Sequence, residues 1–144
     1  MIGGNSMKAT PQSWTPLIGR ILIGSLFLVE GIHQAMSYTG IVGYFARLEF
    51  PAPEAMVWLS IIIHVAGGIM LIAGWKTKWA SWLLLALVVI ATATAHRFWQ
   101  FDAMQYGIQL NHFLKNVAII GGLLYLAAFG AGAMSLDARK KSSG

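Results

Sequence analysis

The 144-residue chain contains no cysteine. That excludes a disulfide framework, a thiol nucleophile and a thiolate metal site in any compartment. Charge is scarce as well: charged residues make up 10% of the sequence, far below the roughly 25% of an average soluble domain. Acidic residues are the scarcest, five against ten Lys and Arg, which leaves a formal net charge of +5. A basic balance can mark a nucleic-acid binder, but these ten residues are scattered among long apolar runs and form no binding stripe. No nucleic-acid partner is expected. The sequence also lacks a phosphate loop, a CxxC pair and an HxxxH pair on one helix, so no metal site is expected.

Apolar length is what the chain does have, with 57% hydrophobic residues and a mean hydropathy of +0.65. About 20 residues of helix, rising roughly 1.5 Å each, cross a hydrocarbon core. Residues 17–36, 55–74, 79–95 and 113–131 meet that length or come close. A soluble four-helix protein would need a polar stripe on each segment, and the second and third have none. The expected fold is all-α: a polytopic membrane protein built as a four-transmembrane-helix bundle, with short interfacial segments on its non-cytoplasmic side. Thr15 and Pro16 read as the N-cap and first residue of the first helix, and Thr77 and Asn111 as caps of the third and fourth. Residues 1–16 are expected to be a flexible cytoplasmic segment and not a cleavable signal. Residues 17–136 form the membrane domain and 137–144 a basic cytoplasmic tail; Met7 offers a second translational start.

Lys8, Arg20, Lys76, Lys78, Arg139, Lys140 and Lys141 fall on one side of such a bundle, against Arg47, Arg97 and Lys115 on the other. The positive-inside rule then puts both termini in the cytoplasm. The connections on the opposite side, 37–53 and 97–111, are rich in aromatic and apolar residues and are expected to lie over the bundle as lids.

Polar residues then converge in the outer half of the membrane. Glu30 and Gln34 share a helical face with His33 at its edge; His112, Lys115 and Asn116 make a second polar face on the fourth helix. His96 and Arg97 end the third helix, and His64 lies about midway along the second. A carboxylate in hydrocarbon must be paired, protonated or turned to a polar cavity. Pairing of Glu30 with Lys115 or Arg97 fits the available cations. The functional reading is a pocket for a quinone head group, another small polar ligand or protons; the structural reading is an ion pair that fixes helix packing. The four histidines offer no pair at matched depth on two spans, so haem ligation is not expected. Gly24, Gly31 and Ala35 on the first helix, Gly67 and Gly68 on the second, and Ala118 and Gly122 on the fourth permit close approach of helix backbones.

The stretches GRILIGSLFLVEGIHQ, LEFPAPEAMVWL, HVAGGIMLIAGWKTKWASWLLL, ATAHRFW and HFLKNVAIIGGLLYLAAFGAGAMSLD, in this order and spacing, resemble the DoxX family. The resemblance implies a four-helix integral membrane protein of a bacterial or archaeal cell membrane. The family takes its name from a small subunit of an archaeal terminal quinol oxidase linked with thiosulfate:quinone oxidoreduction; its many bacterial members have no established common reaction. Lys115 and Asn116 match the polar pair opening the last family helix, and Arg97, Phe98 and Trp99 the aromatic region after the third. Family members commonly carry a lysine near position 34, where this chain has Gln34, and Glu30 and His33 add unusual polarity. The expected function is an accessory subunit or partner of a respiratory or other redox membrane complex, near a quinone, alongside other membrane subunits and with no cofactor of its own. The alternatives are a structural or assembly subunit of a larger complex and a component of a small-molecule or proton transporter.

Overall fold

The computed structural model describes residues 14–142, and all its regular elements are helical. In chain order they are α1 (Thr15–Met36), α2 (Tyr38–Arg47), α3 (Pro53–Ala73), α4 (Thr77–Ala95), a 3-10 turn (Phe98–Gln100), α5 (Ala103–Phe129) and α6 (Leu136–Ser142). The expectations for residues 1–13, Met7 and Lys8 among them, lie outside the described residues.

The α1, α3, α4 and α5 helices are long and apolar enough to cross a membrane. Their outward faces carry Leu22, Val29, Ile62, Leu83 and Leu124, all well exposed. Apolar surface turned outward on all four helices suits lipid and not water. The chain is an integral membrane protein with four spans.

Helix association in lipid gains nothing from hiding apolar surface, because the tails are as apolar as leucine; it rests on close packing. The α1 helix lies on α3, α4 lies on α5, and α3 joins the two pairs by packing on α4. Gly24 and Gly68 provide a close approach of α1 to α3: a Cβ built on either would sit within 3 Å of the other's carbonyl oxygen. Gly31 fits against His64 and Val65 of α3, Gly67 against Leu84 of α4, and Gly122 of α5 against Ile23 of α1. Ala118, in contrast, is exposed on α5. Phe27, Leu71, Leu84 and Leu123 fill the shared interior.

The end of the bundle at the α3–α4 turn is closed by a polar knot. Gly74 and Lys76 take left-handed backbone angles, φ +67° and +46°, to reverse the chain. Glycine adopts this readily, whereas lysine pays on the order of 1 kcal/mol. Asp137 offsets that cost: its carboxylate accepts from the N–H of Lys76 (2.7 Å) and of Thr77 (2.9 Å), and its own N–H donates to Gly74 O (2.9 Å). The cap of α4 therefore comes from 60 residues away, and not from Thr77 itself, as its sequence position suggests. Composition places residue 137 in a tail, yet its carboxylate is tied into the membrane domain.

Arg20 is fully buried beside this knot. Its guanidinium donates to Leu71 O (3.2 Å), Ile72 O (3.3 Å) and Met134 O. Two of these are terminal carbonyls of α3, groups a helix end leaves short of partners. Arg20 thereby fastens the start of α1 to the end of α3 and to the strap that leads out of α5.

Burial alone raises the Asp137 carboxyl, but the N–H groups of Thr77 and Lys76 and the nearby Arg20 charge outweigh it and hold the group below its ordinary value of 3.8. A carboxylate whose folded-state pKa is depressed contributes stability above the unfolded pKa, and that contribution is lost as pH falls through the folded one. Asp137→Asn is expected to cost about 1 kcal/mol at neutral pH, the usual weight of a helix cap. Melting curves of both proteins in detergent should converge below about pH 3.8; a gap of constant size would count against the assignment.

One further boundary differs from sequence expectation. The last span begins at Ala103, capped by Asp102 accepting from Gln105 N–H (3.0 Å), so Asn111 lies within it and caps nothing. With 27 residues, α5 runs about 40 Å and outreaches a hydrocarbon core of about 30 Å. Most of the expected second lid is thus the projecting start of α5. The first lid is the helix α2, held on α3 by Tyr38 against Trp58 with ring centroids 5.3 Å apart.

Candidate functional site

At the end of the bundle covered by α2, the two helix pairs part around a cavity of about 630 Å³. One wall comes from α1 and α3 and carries Glu30, Gln34, Ser60 and His64; the other comes from α4 and α5 and carries His96, His112, Lys115 and Asn116. Tyr44 and Phe45 of α2 and Leu48 just after it line the top, and Phe27, Leu87 and Ile119 are among the apolar side chains below.

Helical spacing explains the first wall. Residues four apart share a face, so Gln34 Nε2 reaches Glu30 Oε1 at 3.3 Å and His64 Nδ1 reaches Ser60 O at 2.8 Å. The α1–α3 contact through Gly24, Gly31 and Gly68 brings the helices near enough for Ser60 Oγ to donate to Gln34 Oε1 at 3.0 Å. Phe27 lies beneath the His64 ring, centroids 5.9 Å apart. Gln34, Ser60 and His64 are buried, while Glu30 is exposed and lines the cavity.

On the second wall, Asn116 Nδ2 donates to Thr92 Oγ1 (2.9 Å), whose hydroxyl in turn donates to Val88 O (2.7 Å). His96 and His112 stack with centroids 5.1 Å apart and ring planes within 19°, and His96 Nδ1 bonds Gln109 Oε1 (3.0 Å). Lys115 has no hydrogen bond or ion pair with any of the described residues and lines the cavity.

The expected pairing of Glu30 with Lys115 or Arg97 is not made. Glu30 bonds Gln34, one turn along its own helix, and Arg97 turns back to donate from Nε to Thr94 O (3.2 Å). Lys115 belongs to the opposite wall. A cavity, and not an ion pair, is what accommodates the Glu30 carboxylate. His33 is exposed and, like Arg97, is not among the residues that line the cavity.

Sequence reading missed three polar residues here, Ser60, Thr92 and Gln109. Each stands three or four positions before a histidine, in Ser60–His64, Thr92–His96 and Gln109–His112. That i, i+3 or i+4 spacing of polar residues inside apolar runs is the signal that would have found them.

The DoxX family model matches residues 15–97, more than half of the chain. The chain is 31% identical over 123 residues to Inner membrane protein YphA of Escherichia coli K12, which spans 85% of this chain and 88% of that protein. It is 28% identical over 121 residues to Inner membrane protein YqjF of the same organism, again 88% of that protein. A third relative, the ER-derived vesicles protein ERV29 of Saccharomyces cerevisiae, is 32% identical over 84 residues, which is 27% of its length. No solved structure matches. With α1 to the end of α4 inside the family match and YphA alike over nearly its whole length, the chain belongs to the DoxX family of small integral-membrane proteins.

Proposed function

We propose that this protein is an accessory subunit of a membrane redox system and holds the head group of a quinone-type amphiphile in the cavity under α2. The cavity itself carries the reading. About 630 Å³ is within the usual range for a small-molecule site, mostly apolar with a few convergent polar groups. Lys115 can donate to a quinone oxygen from one wall, and the polar ladder of α1 and α3 faces it from the other. The apolar floor and the lid of α2 suit a ring and the start of its tail.

The names of YphA and YqjF support placement in a bacterial inner membrane, and the distribution of Lys and Arg supports cytoplasmic termini. The cavity then lies in the outer half of the bilayer. The match to YphA and YqjF says nothing of a reaction, so the redox assignment rests on the chemistry of the site.

The test is to extract the protein from its native membrane in a lipid-preserving polymer and measure quinone and copurifying proteins. Quinone at near one per protein chain, together with subunits of a redox enzyme, is the expected result. Lys115→Met, at an exposed position that need not disturb folding, should lower retained quinone several-fold. Quinone at the level of bulk lipid, with no redox partner, would contradict the proposal.

One observation favours a second reading, assembly into a larger complex. Ala118 is exposed and the space beside Gly121 is open on α5, which leaves a small-residue face for another helix to approach. Copurification of non-redox membrane proteins, lost in Gly121→Leu, would support it over the first.

A further inference from the structure

The hydrogen bonds of the α1–α3 wall have a fixed direction. Ser60 O is a carbonyl and can only accept, so its 2.8 Å contact places the hydrogen on His64 Nδ1. The neutral ring is then left with Nε2 as an acceptor, and Nε2 has no partner among the described residues. The side chain is 9% exposed and lines the cavity.

The remaining links run the same way. Ser60 Oγ, 3.2 Å from His64 Nδ1, gives its own hydrogen to Gln34 Oε1, and the Gln34 amide donates to Glu30 Oε1. The chain His64, Ser60, Gln34, Glu30 therefore ends in acceptors on both sides, the imidazole Nε2 and the second carboxylate oxygen. An amide does not release its proton readily, so Gln34 makes this an orienting chain and not a proton relay. Across the cavity, one N–H of the Asn116 amide is committed to Thr92, which leaves its second N–H as a donor and its carbonyl oxygen as an acceptor. Lys115 is the charged donor set against the acceptors of His64 and Glu30.

We propose that the cavity selects the reduced, hydroxyl-bearing form of its ligand, an aromatic diol in preference to the corresponding dione. This rests on the quinone reading and specifies its redox form. A diol satisfies the site in both directions: its hydroxyls donate to His64 Nε2 and to Glu30 or Asn116, and a hydroxyl oxygen accepts from Lys115. A dione only accepts, so it can take hydrogens from Lys115 and Asn116 but leaves the lone pairs of His64 Nε2 and Glu30 without a donor. Sites built to bond a hydroxyl discriminate strongly against analogues without it, because their own polar groups are left unpaired.

The probe is a decyl-tailed benzoquinone and its dithionite-reduced diol, each titrated anaerobically into the full-length protein in lipid nanodiscs, with tryptophan fluorescence as the readout. The diol is expected to bind about tenfold more tightly or better, the effect of roughly one well-formed hydrogen bond. His64→Phe should bring the two affinities together, while His64→Gln, which keeps an acceptor oxygen, should retain part of the preference. Equal affinities in the wild type, or tighter binding of the dione, would overturn the inference and leave the quinone reading standing. Binding of neither form would overturn both. The wild-type ratio decides the matter even if His64→Phe does not fold.

Discussion

Replacing Arg20 with methionine is expected to prevent accumulation of the folded protein, or to lower its stability by roughly 3 to 5 kcal/mol. The side chain is fully buried and serves three carbonyls from two parts of the chain. Leu71 O keeps a second donor, the N–H of Gly74, but among the described residues no other backbone N–H outside the helices donates to Ile72 O or Met134 O. Methionine approximates the volume of the stem but supplies no donor, so buried carbonyls would stay unpaired next to an unfilled space. Lysine should rescue only in part, because a single ammonium cannot reproduce the forked geometry of guanidinium. Yield in the membrane fraction and thermal melting in detergent are the readouts. Wild-type melting of Arg20→Met would show that the knot is not what holds α1 to the end of α3.

Gly68→Val is expected to separate α1 from α3 and cost about 2 to 3 kcal/mol or more. A Cβ at position 68 would lie 2.7 Å from Gly24 O and 2.9 Å from Leu28 N. Both are backbone atoms, so no rotamer change relieves the clash and the whole helix must move. The same movement would pull Ser60 away from Gln34, because both depend on this contact. Loss of ligand binding should therefore accompany loss of stability. Gly24→Ala combined with Gly68→Ala should cost less than the sum of the two single changes, since one separation relieves both clashes. Gly19→Ala, where a Cβ meets nothing within 4 Å, serves as the neutral control. Full additivity would contradict a shared contact.

The spans and the gathering of polar residues at one end were legible because they depend on local quantities, apolar length and helical spacing. The packing of α2 over the bundle was legible too, since an apolar and aromatic segment between spans needs a surface to cover. What was not legible is what depends on distant parts of the chain. Asp137 caps α4 across the sequence, and nothing near Lys76 announces it. Arg20 looked like a charge at the membrane edge, because its three acceptors are backbone carbonyls that any sequence contains. The Glu30 pairing failed for a related reason. Charge complementarity named partners on other elements, but the glutamine one turn away was nearer and the cavity left the carboxylate room. The start of α5 was misjudged because Arg97–Gln100 and Ala103–Asn111 share an aromatic, mixed-polar composition, although Asp102 separates them as an N-cap.

The central claim is that the cavity under α2 holds the head of an amphiphilic ring. Photolabelling with an azido-benzoquinone in native membranes, followed by peptide mass spectrometry, tests it most directly. The account predicts label on the segments that bear Glu30 and Gln34, Ser60 and His64, and His112 to Asn116, competed away by excess unlabelled quinone. Label confined to the Trp75–Trp79 end of the bundle, or spread over the lipid-facing surfaces without competition, would contradict it.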